Sequence, residues 1–190
     1  MAINVTRVGL AAAASLATAS VASAEVLLEI DLTVENQLTI TATDGLASAS
    51  ASTGDFTGVY FDNFYSAAGA SPSTAPTVGT LTTFNNPADG SPSIFRSFND
   101  PGLNLWDFSS GTITVTAGVQ AFTGTATWML TAAAYDAMLL NNPTGDIYFG
   151  ADDVSDIGSA PVVGQWVIVP APSTLGLAAL GLGAAMRRRR

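Results

Sequence analysis

The chain has no cysteine and no histidine, and its six basic residues are all arginine, so lysine is missing too. Each absence removes a class of chemistry. Without thiols there are no disulfides, and without Cys and His there is no zinc site of the usual ligand type. Without histidine and lysine the common bases that activate a hydroxyl nucleophile are gone. Positive charge is also scarce between the termini. Arg96 alone faces fifteen carboxylates, all of which fall between Glu25 and Asp156. A surface with that balance disfavours nucleic acid as a partner, because phosphate contacts need cations.

The remaining arginines sit at the two ends and give them meaning. Arg7 precedes an apolar, small-residue run from Val8 to Val21, and Ala22-Ser23-Ala24 places small side chains where a signal peptidase reads them. Residues 1–24 therefore read as a secretory signal peptide, cleaved after Ala24. Fourteen residues of helix reach only ~21 Å, short of the ~30 Å hydrocarbon core that a permanent span must cross.

At the other end, Val169-Pro170-Ala171-Pro172-Ser173 stops any strand, since proline cannot donate to a ladder. Thr174 to Met186 is uncharged, and Arg187, Arg188, Arg189 and Arg190 close the chain. Guanidinium groups cost at least ~2.5 kcal/mol each at the bilayer centre, so the quartet halts transfer and stays on the cytoplasmic side. The order of a Pro-x-Pro, an apolar helix and a terminal arginine cluster resembles the PEP-CTERM sorting signal of exosortase substrates, over residues 169–190. Ala171 stands where that family carries its glutamate. The resemblance implies export, a transient membrane anchor, cleavage near Pro170-Ala171-Pro172 by an exosortase-like enzyme, and delivery to the cell surface or extracellular matrix, often beside exopolysaccharide. A permanent single-pass anchor is the competing reading of the same segment.

Residues 25–168 form a domain of ordinary size, rich in Thr, Ser, Gly and Ala. Val26, Leu28, Ile30, Leu32 and Val34 alternate with mostly polar partners, which predicts a strand with one buried face. Asn36-Gln37 turns it into a second strand from Leu38 to Thr43, and Asp44-Gly45 marks the next turn. Further strands are expected over Phe56–Tyr65, Gly79–Phe84, Ser93–Phe98, Leu105–Phe108, Thr112–Ala117, Val119–Leu130, Asp146–Phe149 and Val162–Val169. Ala132–Leu140 has helical spacing, with Tyr135, Met138 and Leu139 apolar, and Asn141-Asn142-Pro143 ends it. Ala67–Val78 and Asn85–Pro92 read as surface loops. The expected architecture is all-β, an antiparallel β-sandwich with a jelly roll as one way to arrange it. The expected core is Leu28, Ile30, Leu32, Ile40, Phe61, Trp106, Ile113, Val115, Trp128, Leu130, Trp166 and Ile168.

Three constellations carry chemistry. Asp152, Asp153 and Asp156 crowd one loop and suit a weak calcium ion, which takes oxygen ligands; otherwise no cofactor is expected. Asn99, Asp100, Asn104 and Asp107 make a second oxygen-rich loop. Tyr60, Phe64, Tyr65 and Trp106 form a sugar-stacking platform if they are exposed and core if they are not. A carboxylate-pair hydrolase would need two buried acids in one cleft. The resulting expectation is a non-enzymatic, exported, structural or adhesive protein, with a carbohydrate-binding module for exopolysaccharide as the alternative.

Overall fold

The computed structural model describes residues 24–54, 57–75, 77–85, 92–106 and 111–169. The signal segment through Ser23 and the tail from Pro170 onward lie outside the described residues, and so does Asp107. The described chain is mostly β, with one helix and a curled sheet. In order, the strands are β1 (Val26–Asp31), β2 (Gln37–Ala42), β3 (Ala51–Gly54), β4 (Val59–Phe61), β5 (Ser73–Thr74), β6 (Val78–Gly79) and β7 (Thr82–Thr83). Then come β8 (Ile94–Phe95), β9 (Leu103–Leu105), β10 (Thr112–Val115), β11 (Phe122–Thr123) and β12 (Thr125–Met129). The helix α1 (Ala132–Leu139), β13 (Thr144–Phe149) and β14 (Val162–Ile168) complete the series.

Ten strands form one sheet, ordered β5-β8-β9-β4-β13-β14-β1-β2-β12-β6, while β3 pairs with β10 and β7 with β11. The hairpin expected at Asn36 is present. Gln37 N–H bonds the Val34 carbonyl at 3.1 Å, and Asn36 takes the left-handed φ of 59° that such a turn needs. The uniformly antiparallel expectation needs correction, because β1 pairs with β14 in parallel. Periodicity reports which face is buried, not which way a partner runs.

Other expectations change for local reasons. The register of β1 against β14 shifts between Val26 and Leu28, so Leu27 and Leu28 are both buried and Val26 is turned outward. The strand expected over Val119–Leu130 is two strands, since Gly124 bends the chain at φ 84°. The one expected over Gly79–Phe84 is likewise split between β6 and β7. Phe56–Tyr65 narrows to Val59–Phe61, and Asn63 leaves the strand with φ 54°. Ala51–Gly54 is a strand that its weak apolar pattern did not announce, and the supposed loop Ala67–Val78 contains β5 and the start of β6.

Helix α1 forms where expected. The Thr131 side chain caps it by accepting from Ala134 N–H at 3.3 Å, and Tyr135 and Met138 face the core while Leu139 faces out. The expected core residues are buried except Ile168, which is only partly covered. It sits at the last position of β14, where neighbouring strands end.

The two edges of the large sheet, β5 and β6, are separated by only Ala75–Thr77. Four Cα-to-Cα steps reach at most ~15 Å. The sheet must therefore curl until its first and last strands nearly meet, and α1 lies beside that seam.

Candidate functional site

The acidic triad lies on the connection between β13 and β14. Gly150 opens this loop with φ 85°, and Asp153 shapes it by accepting from Ser155 N–H at 2.7 Å and from Ser155 Oγ at 2.6 Å. Asp156 N–H bonds the Asp153 carbonyl at 3.2 Å. One oxygen from each of Asp152, Asp153 and Asp156 can be chosen so that all lie within 4.8 Å of one another. All three residues are half-buried. The Asp152 carboxyl is pushed up to about 6, first by burial, then by its hydrogen bond with Asp156 and the charges of Asp156 and Asp153. Three carboxylates at this spacing can offer hard oxygen donors to a cation, with water supplying the rest of a calcium shell.

The second oxygen-rich loop is used differently from its expected role. Asp100 is buried. Its Oδ1 accepts from the Tyr60 hydroxyl and from Gly102 N–H at 2.8 Å. Its Oδ2 accepts from Val154 N–H at 3.1 Å, which ties the triad loop to the core. Asn104 is also buried, and its Nδ2 donates to the Thr57 carbonyl at 2.8 Å and the Ala151 carbonyl at 3.2 Å. Asp100 and Asn104 are therefore struts beneath the triad loop, and Asn99 is exposed in a left-handed turn at φ 57°. Spacing along the chain put the two loops in separate places; only the fold joins them. Burial, followed by the bond to Asp100, pushes the Tyr60 hydroxyl far above its ordinary range.

Tyr60, Phe64, Tyr65 and Trp106 are each at most 4% exposed, so they cannot present a face to a sugar ring. They are core. Phe64 packs against Trp166 at 5.2 Å and edge-on to Tyr65 at 4.9 Å between ring centroids. The Arg96 guanidinium lies 3.6 Å from the Tyr65 ring centroid. Neither the sequence pattern nor the charge count marked Arg96 as central. Its isolation in a long acidic region was the one available signal.

Among the described acidic residues Asp100 alone is fully buried, and its oxygens are occupied by the three donors above. Of the residues expected to direct export, Ala24 is the first described position, and Glu25 beside it is built into the fold. Leu46 N–H bonds Glu25 Oε2 at 2.6 Å and Gln165 N–H bonds the Glu25 carbonyl at 2.8 Å. Ala22, Pro170, Ala171, Pro172, Arg187, Arg188, Arg189 and Arg190 lie outside the described residues. No described helix is long and apolar enough to cross a membrane. No protein-family model, curated protein or solved structure matches the chain.

Proposed function

We propose that the protein is an exported, non-enzymatic surface or extracellular-matrix component, structural or adhesive in role, whose tail is handled by an exosortase-like enzyme after signal peptidase has acted on the other end. The observation that carries this reading is the sequence at the two ends, an Arg7-led apolar run closing on Ala22-Ser23-Ala24 and a Pro170-Ala171-Pro172, apolar segment and arginine quartet, on either side of an acidic β-rich region. Gln165 N–H bonds the Glu25 carbonyl at 2.8 Å and Val169 N–H bonds the Ile30 carbonyl at 2.8 Å, so both ends of the described chain are tied into the large sheet, where β1 and β14 are neighbours. On this reading the ectodomain is sandwich-like, with the β3–β10 and β7–β11 pairs as a second layer. Ile113, Val115 and Phe122 of those pairs bury into the same cluster as the large sheet, which supports it.

Contact with exopolysaccharide would use hydroxyls, since the aromatic candidates are buried. Thr39 and Thr127, and Thr41 and Thr125, hydrogen-bond side by side at 3.0 Å on the outer face of β2 and β12. A weak calcium ion at Asp152, Asp153 and Asp156 is the one cofactor this reading adds. Millimolar calcium is then expected to raise the melting temperature, and EDTA to reverse the rise; identical melts in both would remove the ion. The export reading is tested by intact mass. Protein from medium and membranes should lack residues 1–24, and protein from medium should also lack the segment beyond Pro172. Full-length chain dissolved in the cytosol overturns the proposal.

A further inference from the structure

The curled sheet leaves a gap at its seam, and the backbone around that gap is oriented for a partner. Along β12, the Thr125 carbonyl accepts from Thr80 N–H at 2.8 Å and the Thr127 carbonyl from Thr77 N–H at 2.7 Å. Odd-numbered residues of β12 thus aim their backbone groups at the β6 side, while Leu130 N–H goes the other way, to the Asn36 carbonyl at 2.8 Å. Pairing with β6 covers Ala126 and Thr127 and reaches no further along β12. Two residues beyond Thr127, the N–H and carbonyl of Met129 point in the same direction and meet no described strand.

Across the gap, the Pro72 carbonyl accepts from Arg96 N–H at 3.0 Å. The alternation of a strand then turns Thr74 toward β8 and Ser73 away from it, into the gap. Two backbone edges therefore flank a groove of about 330 Å³, with Pro72, Leu130 and Ala134 as its apolar lining. That is at the small end of the range for ligand clefts. Unpaired strand edges are templates for another strand, and a strand added between two edges is hydrogen-bonded on both sides.

Charge restricts the occupant. No residue lining the groove is ionisable. Nearby, Glu35 adjoins the Asn36 that holds Leu130, and Asp136 lies on α1; both are exposed. Among the described residues the lone cation, Arg96, is buried, so the described exterior carries carboxylates only. A second copy of this surface would be repelled. We propose that the seam is a strand-acceptor site, in which an extended peptide of a partner protein, uncharged within the groove and basic at its flanks, inserts between β5 and β12.

The probe is a synthetic peptide, acetyl-Arg-Thr-Val-Thr-Val-Thr-Arg-amide, titrated against the intact protein by fluorescence anisotropy and amide hydrogen exchange. Binding should slow exchange at Met129 and Ser73 and leave Gly118, on a distant turn, unchanged. A glutamate-flanked version should bind about tenfold more weakly, with the difference shrinking at high salt. Ser73→Pro deletes an N–H that faces the gap and spares the bonds to β8, so it should cost about tenfold in affinity. N-methylation of the central peptide amides should abolish binding, and it does not touch the fold. The proposal is overturned if Met129 and Ser73 stay unprotected, or if the methylated peptide binds equally. It is also overturned if those amides are already slow in the intact chain and become fast on truncation after Val169, which would make the chain's own tail the occupant. Protection that appears only as protein concentration rises would mean a second copy and overturn it too.

Discussion

Arg96 is 2% exposed, and everything it touches is neutral or backbone. Its Nε donates to the Asp100 carbonyl at 2.8 Å, its Nη2 to the Ala67 carbonyl at 3.0 Å, and its plane covers Tyr65. Arg96→Met keeps the volume but strands two carbonyls, so urea unfolding should register a loss of about 3 kcal/mol. A variant as stable as the parent would mean those bonds are made equally well by water. Asp152 predicts a pH dependence whose sign can be worked out. Its folded value near 6 exceeds the ordinary 3.8, so between these values the folded state keeps a proton that the unfolded state has lost. Stability therefore falls as pH rises from about 4 to about 6, by a modest amount because the group is partly solvated. Asp152→Asn should flatten that part of the profile in EDTA and melt no lower than the parent at pH 7.5. Parallel profiles for the two proteins would refute the assignment. The clustering of Asp152, Asp153 and Asp156 was legible because they are neighbours in the chain. The role of Asp100 was not, because its partners Tyr60 and Val154 lie 40 and 54 residues away.

Elements were legible where a pattern was both local and one-sided. The β1–β2 hairpin, α1 and β14 all follow from alternation or helical spacing bounded by turn residues. The failures cluster where backbone shape overrode pattern. At Gly124 the apolar series continues from Phe122 to Ala126, yet the left-handed φ splits the strand and sends Phe122 and Thr123 to pair with β7. A Cβ at Gly124 would also run into the Thr80 carbonyl. Gly124→Ala should therefore destabilise by about 2 kcal/mol, combining φ strain with a backbone clash. A loss below about 0.5 kcal/mol would show that the bend can relax. Helix α1 offers a milder check. Thr131→Ala removes the acceptor for Ala134 N–H and should cost about 1 kcal/mol in a thermal melt.

At the scale of the molecule, the described exterior holds carboxylates with no exposed cation to offset them. Self-repulsion of that kind is screened by salt. The melting temperature should rise by several degrees between low ionic strength and about 0.5 M sodium chloride, where the Debye length has fallen to ~4 Å. A flat response would mean that the carboxylates are too widely spaced to oppose folding.

Composition and local order were enough to establish a β-rich, acidic domain with no thiol or imidazole chemistry, and to set it apart from two uncharged-to-basic ends. Those properties belong to side chains one, two or four positions apart, which is the range over which a chain reports on itself. Whether β1 would run parallel to β14, whether the aromatic residues would face sugar or core, and whether the sheet would bend its edges together were decided by contacts between segments far apart in the chain. Strand pairing takes its direction and closure from the packing of the whole core, and that packing exists only once the distant segments have met.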